Sequence, residues 1–128
     1  MKRRITELAL ENNVWKSNLL FEEMNVDIYL RHLHNDLKDA EMIIDHLIRR
    51  HKSIKKAAAK KLTDIAKENG YVTNCIPPES LWLMSIMIDH IGNETNGYAN
   101  FAIDSIDDVQ AEVSLNLIGK IEHVELVV

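Results

Sequence analysis

The sequence has little of what staples, breaks or bends a chain: among 128 residues there are one cysteine, two prolines and four glycines. The single thiol, Cys75, forms no internal disulfide and has no second cysteine to complete a zinc knuckle, which fits a reducing setting. No apolar run approaches the roughly 20 residues that span a bilayer. The first residues, MKRRITELALENN, lack the apolar stretch and cleavage site of a secretory signal. A cytoplasmic protein with no membrane partner is therefore expected. Basic residues nearly vanish after Gly70: residues 71–128 hold Lys120 against nine acids, whereas residues 1–70 hold 14 Lys and Arg against 11 acids. Neutralising phosphates requires clustered positive charge, so the acidic second half argues against a broad nucleic-acid face. The basic cluster RRHKSIKKAAAKK, 49–61, reads as a solvated helix face complementing the acidic half of its own or a partner chain. Phosphate-binding glycine loops, nucleophile elbows and dinucleotide fingerprints do not occur.

The few breakers mark boundaries. KENG at 67–70 is a helix C-terminal signal, and IPPES at 76–80 reads as a loop whose Pro78 and Glu79 open a new helix. An internal linker at 71–78 within a single domain, 1–128, follows. Val26, Leu30, Leu33, Leu37, Ala40, Ile44, Leu47, His51, Ile54 and Ala58 keep one stripe at three- and four-residue steps. Leu81, Met84, Ile88 and Ile91 continue the period, as do Ile106, Val109, Val113, Leu117 and Ile121, with Ser105 or Asp107 as N-cap of the last segment. The expectation is an all-α four-helix bundle, with helices at roughly 3–34, 36–69, 78–104 and 107–126. Asn35 and Asp36 suggest a turn, while the unbroken phase through 32–36 suggests that the first two helices fuse; both versions stand. Strand-like alternation is confined to EVSLNLI, 112–118. Gly92 and Gly97 fall inside the third helix and weaken it by about 1 kcal/mol each relative to alanine.

Three stretches, IIDHLI at 43–48, IMIDHIG at 86–92 and KIEHVE at 120–125, repeat an acid–histidine doublet in an apolar run. Successive helical residues point about 100° apart, so acid and histidine do not address one point. On the helical stripes Asp45, Asp89 and Glu122 fall towards solvent, and His46, His90 and His123 on the flank. The three imidazoles form a candidate zinc or iron site if the helices turn those edges inward. His51 sits on the main apolar stripe, where an interface histidine makes assembly pH-sensitive near its ordinary pKa of about 6.5. Trp15 and Trp82, with two phenylalanines, dominate the core or interface they enter. The long stripes and charge-split halves favour a homo-oligomer, a dimer in the simplest case, or a protein partner.

The segment SLWLMSIMIDHIGNETNGYANFAIDSIDDVQAEV, 80–113, resembles the MazG-like all-α nucleoside triphosphate pyrophosphohydrolases, in which a tryptophan-led helix carries an acid cluster and the next helix opens with further acids. The resemblance places the cluster on Asp89, His90, Gly92 and Asn93 beside Glu94, with Asp108 and Glu112 following. It implies Mg²⁺ as cofactor, held by Asp89, Glu94, Asp108 and Glu112, which would bridge phosphates and help activate water. His90 and Asn93 stand where that pattern has carboxylates, leaving a poorer cage. The functional expectation is a small soluble helical-bundle binding or regulatory protein acting through self-association and helical surfaces. Its alternatives are a magnesium-dependent pyrophosphohydrolase, intact or degenerate, and a histidine/carboxylate metal-binding bundle.

Overall fold

Val26, Ile28 and Leu30 are wholly buried, while the alternating Asn25 and Asp27 are exposed and Tyr29 is half-buried. A period of two is the signature of a strand with one dry face. The computed structural model describes the chain apart from residues 1–8, 12–13, 33–36, 72–73, 92, 105, 107 and 128. Seven strands and two helices are laid out as β1 (Ala9–Glu11), β2 (Val14–Phe21), β3 (Met24–Arg31), α1 (Lys38–Arg49), α2 (His51–Glu68), β4 (Leu81–Ile91), β5 (Glu94–Ile103), β6 (Gln110–Leu115) and β7 (Ile121–Val127). They form one sheet whose spatial order equals the sequence order. Every pairing is antiparallel except β3 with β4, which run parallel because α1 and α2 carry the chain back between them.

Both helices lie on one face of the sheet. Ala40, Ile43, Ile44 and Leu47 of α1, with Ile54, Ala58, Leu62 and Ala66 of α2, bury against Val26, Ile28, Leu30, Ile86, Ile88, Phe101 and Val113. Gly97 makes the close approach of α1 to β5: a Cβ there would stand 2.6 Å from Ile43 Cγ2. The helix pair breaks at Arg50, whose φ of −110° and ψ of 19° are not helical. At its far end α2 stops in a Schellman arrangement: Gly70, with φ of +75°, donates to the Lys67 carbonyl, and Tyr71 to that of Ala66. The return to the sheet is anchored by Thr63, whose hydroxyl donates to the Ala59 carbonyl and accepts the amide of buried Ile76.

This architecture corrects the all-α expectation. Among the described residues, α-helices occur in only one of the four expected spans, 36–69, and there as two. The spans 3–34, 78–104 and 107–126 carry β1–β3, β4–β5 and β6–β7 respectively. The bundle-based functions and the helical docking surfaces lose their footing with it. The physical cause is a coincidence of periods: residues four apart share a face in a strand as well as in a helix, so Val26 and Leu30 fit a helical stripe once Ile28 is passed over. In β4 a bulge between Leu83 and Ser85 shifts the inward set from Leu81 and Leu83 to Ile86 and Ile88, which spoils simple alternation. Pro78 opens only a short 3₁₀ turn, Pro78–Ser80. Residues 33–36 of the expected bend, the N-cap candidates Ser105 and Asp107, and Gly92 lie outside the described residues. None of the described helices is long and apolar enough to cross a membrane.

Candidate functional site

The face of the sheet opposite the helices has no covering element among the described residues, and strand alternation dictates what it displays. Register partners place Lys16, Tyr29, Met87, Tyr98, Ser114 and His123 in one file across β2–β7. A parallel file runs Asn18, Asp27, Ser85, Asn100, Glu112 and Glu125. Tyr29, Met87 and Tyr98 are half-buried at the centre, and Lys16 holds its ammonium 5.8 Å from the Tyr29 ring centroid. In the neighbouring file the Asn100 amide donates to the Ser85 hydroxyl at 3.3 Å.

A third, shorter file at the carboxyl ends of β3 and β4 sets Arg31 beside Asp89. Asp89 is only 3% exposed, yet both its oxygens are engaged: Arg31 Nη2 donates to Oδ2 at 2.9 Å, and His32 Nδ1 lies 2.7 Å from Oδ1. Burial pushes this carboxyl up, but the His32 hydrogen bond and the charges of Arg31 and His32 outweigh it and hold the pKa below the ordinary carboxylate value. Asp89 is therefore an anion that only accepts, and Nδ1 of His32 carries the proton. His32 reaches this position with φ of +58°, a conformation a non-glycine residue holds only when its surroundings require it. The pair is a clamp closing the upper rim of the open face.

At the lower rim, α2 and the β2–β3 turn build a second cluster. Lys55 is 6% exposed and ion-paired with Glu22, and its ammonium stands 5.9 Å from the Phe21 ring and 6.0 Å from the Trp82 ring. His51 meets Phe21 edge-on at 4.9 Å between centroids, and its Nδ1 has no hydrogen-bond partner among the described residues. Desolvation lowers the His51 pKa, the cations Lys55 and Lys52 act in the same direction, and Glu22 opposes them. The indole of Trp82 donates to Asp104 Oδ2 at 2.6 Å.

The residues singled out from sequence distribute as follows. Asp89 sits in the clamp, Glu94 opens β5, Asp108 follows the far end of β5, and Glu112 faces the open side of β6. Glu94 and Asp108 are thus a strand length apart, roughly 30 Å at 3.4 Å per residue. Glu94 instead shares a cleft of about 330 Å³ with Asp39, Thr95 and Glu122. His46 is on α1, His90 points to the helix side with Nδ1 2.8 Å from Thr95 Oγ1, and His123 is on the open face near Glu125. Among the described residues no three His, Cys, Asp or Glu side chains gather as metal ligands, which corrects the metal-bundle reading. Trp15 lies on the helix side of β2 against the core, whereas His51 and Trp82 belong to the lower-rim cluster. Sequence reading missed Tyr29, Arg31, His32, Met87 and Tyr98. Alternation within NVDIYLR was the available signal for Tyr29 and Arg31; the pairing of Arg31 with Asp89, 58 residues away, has no local trace. No protein-family model, curated protein or solved structure matches the chain.

Proposed function

We propose that this protein is a binding module whose open sheet face docks a partner protein bearing a cationic surface. The file Tyr29–Met87–Tyr98 carries the proposal, because tyrosine and methionine are residue types that concentrate binding energy at the centre of interfaces. Six strands at about 4.8 Å spacing and seven residues at about 3.4 Å give a face of roughly 700 Å². A standard interface takes about 800 Å² from each partner, so the face alone nearly suffices.

Charge selects the partner. With the Arg31–Asp89 ion pair set aside as self-neutralising, the face carries Asp27, Glu112 and Glu125 against Lys16. A second copy of the chain would bring the same acids to the same contact, where like charges oppose docking. A basic partner complements them and associates faster at low ionic strength. The test is to introduce a photo-crosslinking p-benzoylphenylalanine in place of Met87, and separately of Lys60 on the exposed side of α2, in cells that make the protein natively. A covalent adduct with one basic protein formed from position 87 and not from 60 supports the proposal. An adduct formed only from position 60, only with another copy of this chain, or not at all overturns it.

A further inference from the structure

We infer that the cleft at the lower rim of the open face is an anchor site for a single arginine side chain. Its assignment to a partner chain rests on the docking face above, but its affinity for the side chain is a property of the cleft itself. The cleft, about 340 Å³, is lined by Met24, Trp82, Met84, Ala102 and Asp104. Each wall matches one part of arginine. Met84 stands at the β4 bulge, 37% exposed, and with Met24 offers thioethers, adaptable apolar surface for an aliphatic stem. The indole of Trp82 offers a face on which a planar guanidinium stacks. Asp104 uses Oδ2 to accept from the indole, which fixes the carboxylate beside the ring, and a carboxylate so placed presents further lone pairs to guanidinium N–H groups.

The electrostatic balance points the same way. Among the described residues, the charged groups in contact with the indole are Lys55, itself paired with Glu22, and Asp104. Lys55 and Glu22 cancel each other, so Asp104 leaves the site one negative charge in excess. An anionic or neutral apolar ligand would leave that charge uncompensated, whereas a cation with an apolar stem satisfies both halves of the cleft. Arginine is favoured over lysine because an ammonium cannot stack on the ring and pair with the carboxylate as one rigid plane.

The probe is N-acetyl-arginine methylamide, titrated into the full chain while the indole N–H resonance of Trp82 is followed by NMR. The expected result is a saturable shift with a Kd of about 1–10 mM, the range of a single side-chain contact. The lysine analogue should bind several-fold more weakly, and Asp104→Asn should abolish saturation. Met84→Ser, which leaves the carboxylate untouched, should weaken binding several-fold and serves as the second variant should Asp104→Asn perturb folding. Absence of saturation with the arginine probe, equal binding of an N-acetyl-leucine methylamide, or indifference to both substitutions overturns the inference. Because no partner is present, such a failure removes the anchor alone; a cleft that binds arginine in a protein that fails the crosslinking test removes the docking face alone.

Discussion

At the scale of single residues, Asp89 and His51, the described titratable groups whose pKa the fold shifts, both lose their contribution as pH falls, in different windows. Asp89 accepts from Arg31 and His32 while nearly excluded from water. Replacing it with asparagine keeps the shape but removes the charge and one acceptor, and should lower stability by about 1–3 kcal/mol in urea unfolding at pH 7. An unchanged midpoint would contradict the clamp. Since its native pKa is lowered, the contribution of Asp89 is complete above the ordinary carboxylate pKa of about 3.9 and is lost as pH falls through the native value. The gap between wild type and Asp89→Asn should therefore close in acid. For His51, desolvation lowers the native pKa, so the fold favours the neutral ring and the unfolded chain takes up its proton first. Its contribution is complete above about pH 6.5 and declines below. Wild-type stability should fall between pH 7.5 and pH 5 with a steeper slope than that of His51→Leu, read from urea midpoints across that range.

At the scale of elements, the β2–β3 hairpin and the α1–β5 contact each carry a substitution with a defined sign. Glu22 and Glu23 both take positive φ, 51° and 64°, as a two-residue turn of this hand requires, although glycine or asparagine holds it with less strain. Glu23→Gly should raise stability by about 0.5–1 kcal/mol, whereas Glu22→Gly removes the carboxylate facing buried Lys55 and should lower it. Gly97→Ala forces a methyl against Ile43 Cγ2 and should destabilise by about 1–3 kcal/mol. Ile43→Ala in the same chain should cost less than the two single changes summed, a coupling measurable by a double-mutant cycle. These elements also explain what was legible in the sequence. Ala40, Ile44, Leu47, Ile54 and Ala58 mark α1 and α2 because only a helix sustains that spacing over so many turns, and KENG announces the glycine stop. β5 was hidden because three of its five inward positions, Thr95, Gly97 and Ala99, are small or polar, and Gly97 lets α1 approach. Asp89 reads as a solvent-facing acid on a helical phase; in strand β4 it points to the open face and His90 to the helix side, and its cover comes from Arg31 and His32 of a distant segment.

At the scale of the whole molecule, every pairing but one among the described strands joins strands consecutive in the sequence with no helix between them. The exception is the parallel seam of β3 with β4, whose partners Arg31 and Asp89 are 58 residues apart. Closing that loop costs more chain entropy than any other pairing in the sheet, so seam residues are expected to be structured early. Ile88→Val should mainly slow folding, with a φ-value of about 0.5–0.8, whereas Val124→Ala on edge strand β7 should mainly speed unfolding, with a φ-value of about 0–0.3; stopped-flow chevrons distinguish the two. The docking file crosses this same seam between Tyr29 and Met87. Whatever settles on the open face therefore fastens the two halves of the chain like a clasp, and at a hundredfold excess over Kd it adds about 2.7 kcal/mol against unfolding. On that reading the cellular lifetime of this protein follows the supply of its companion: copies that find none open at the seam more often and are the first that proteases clear.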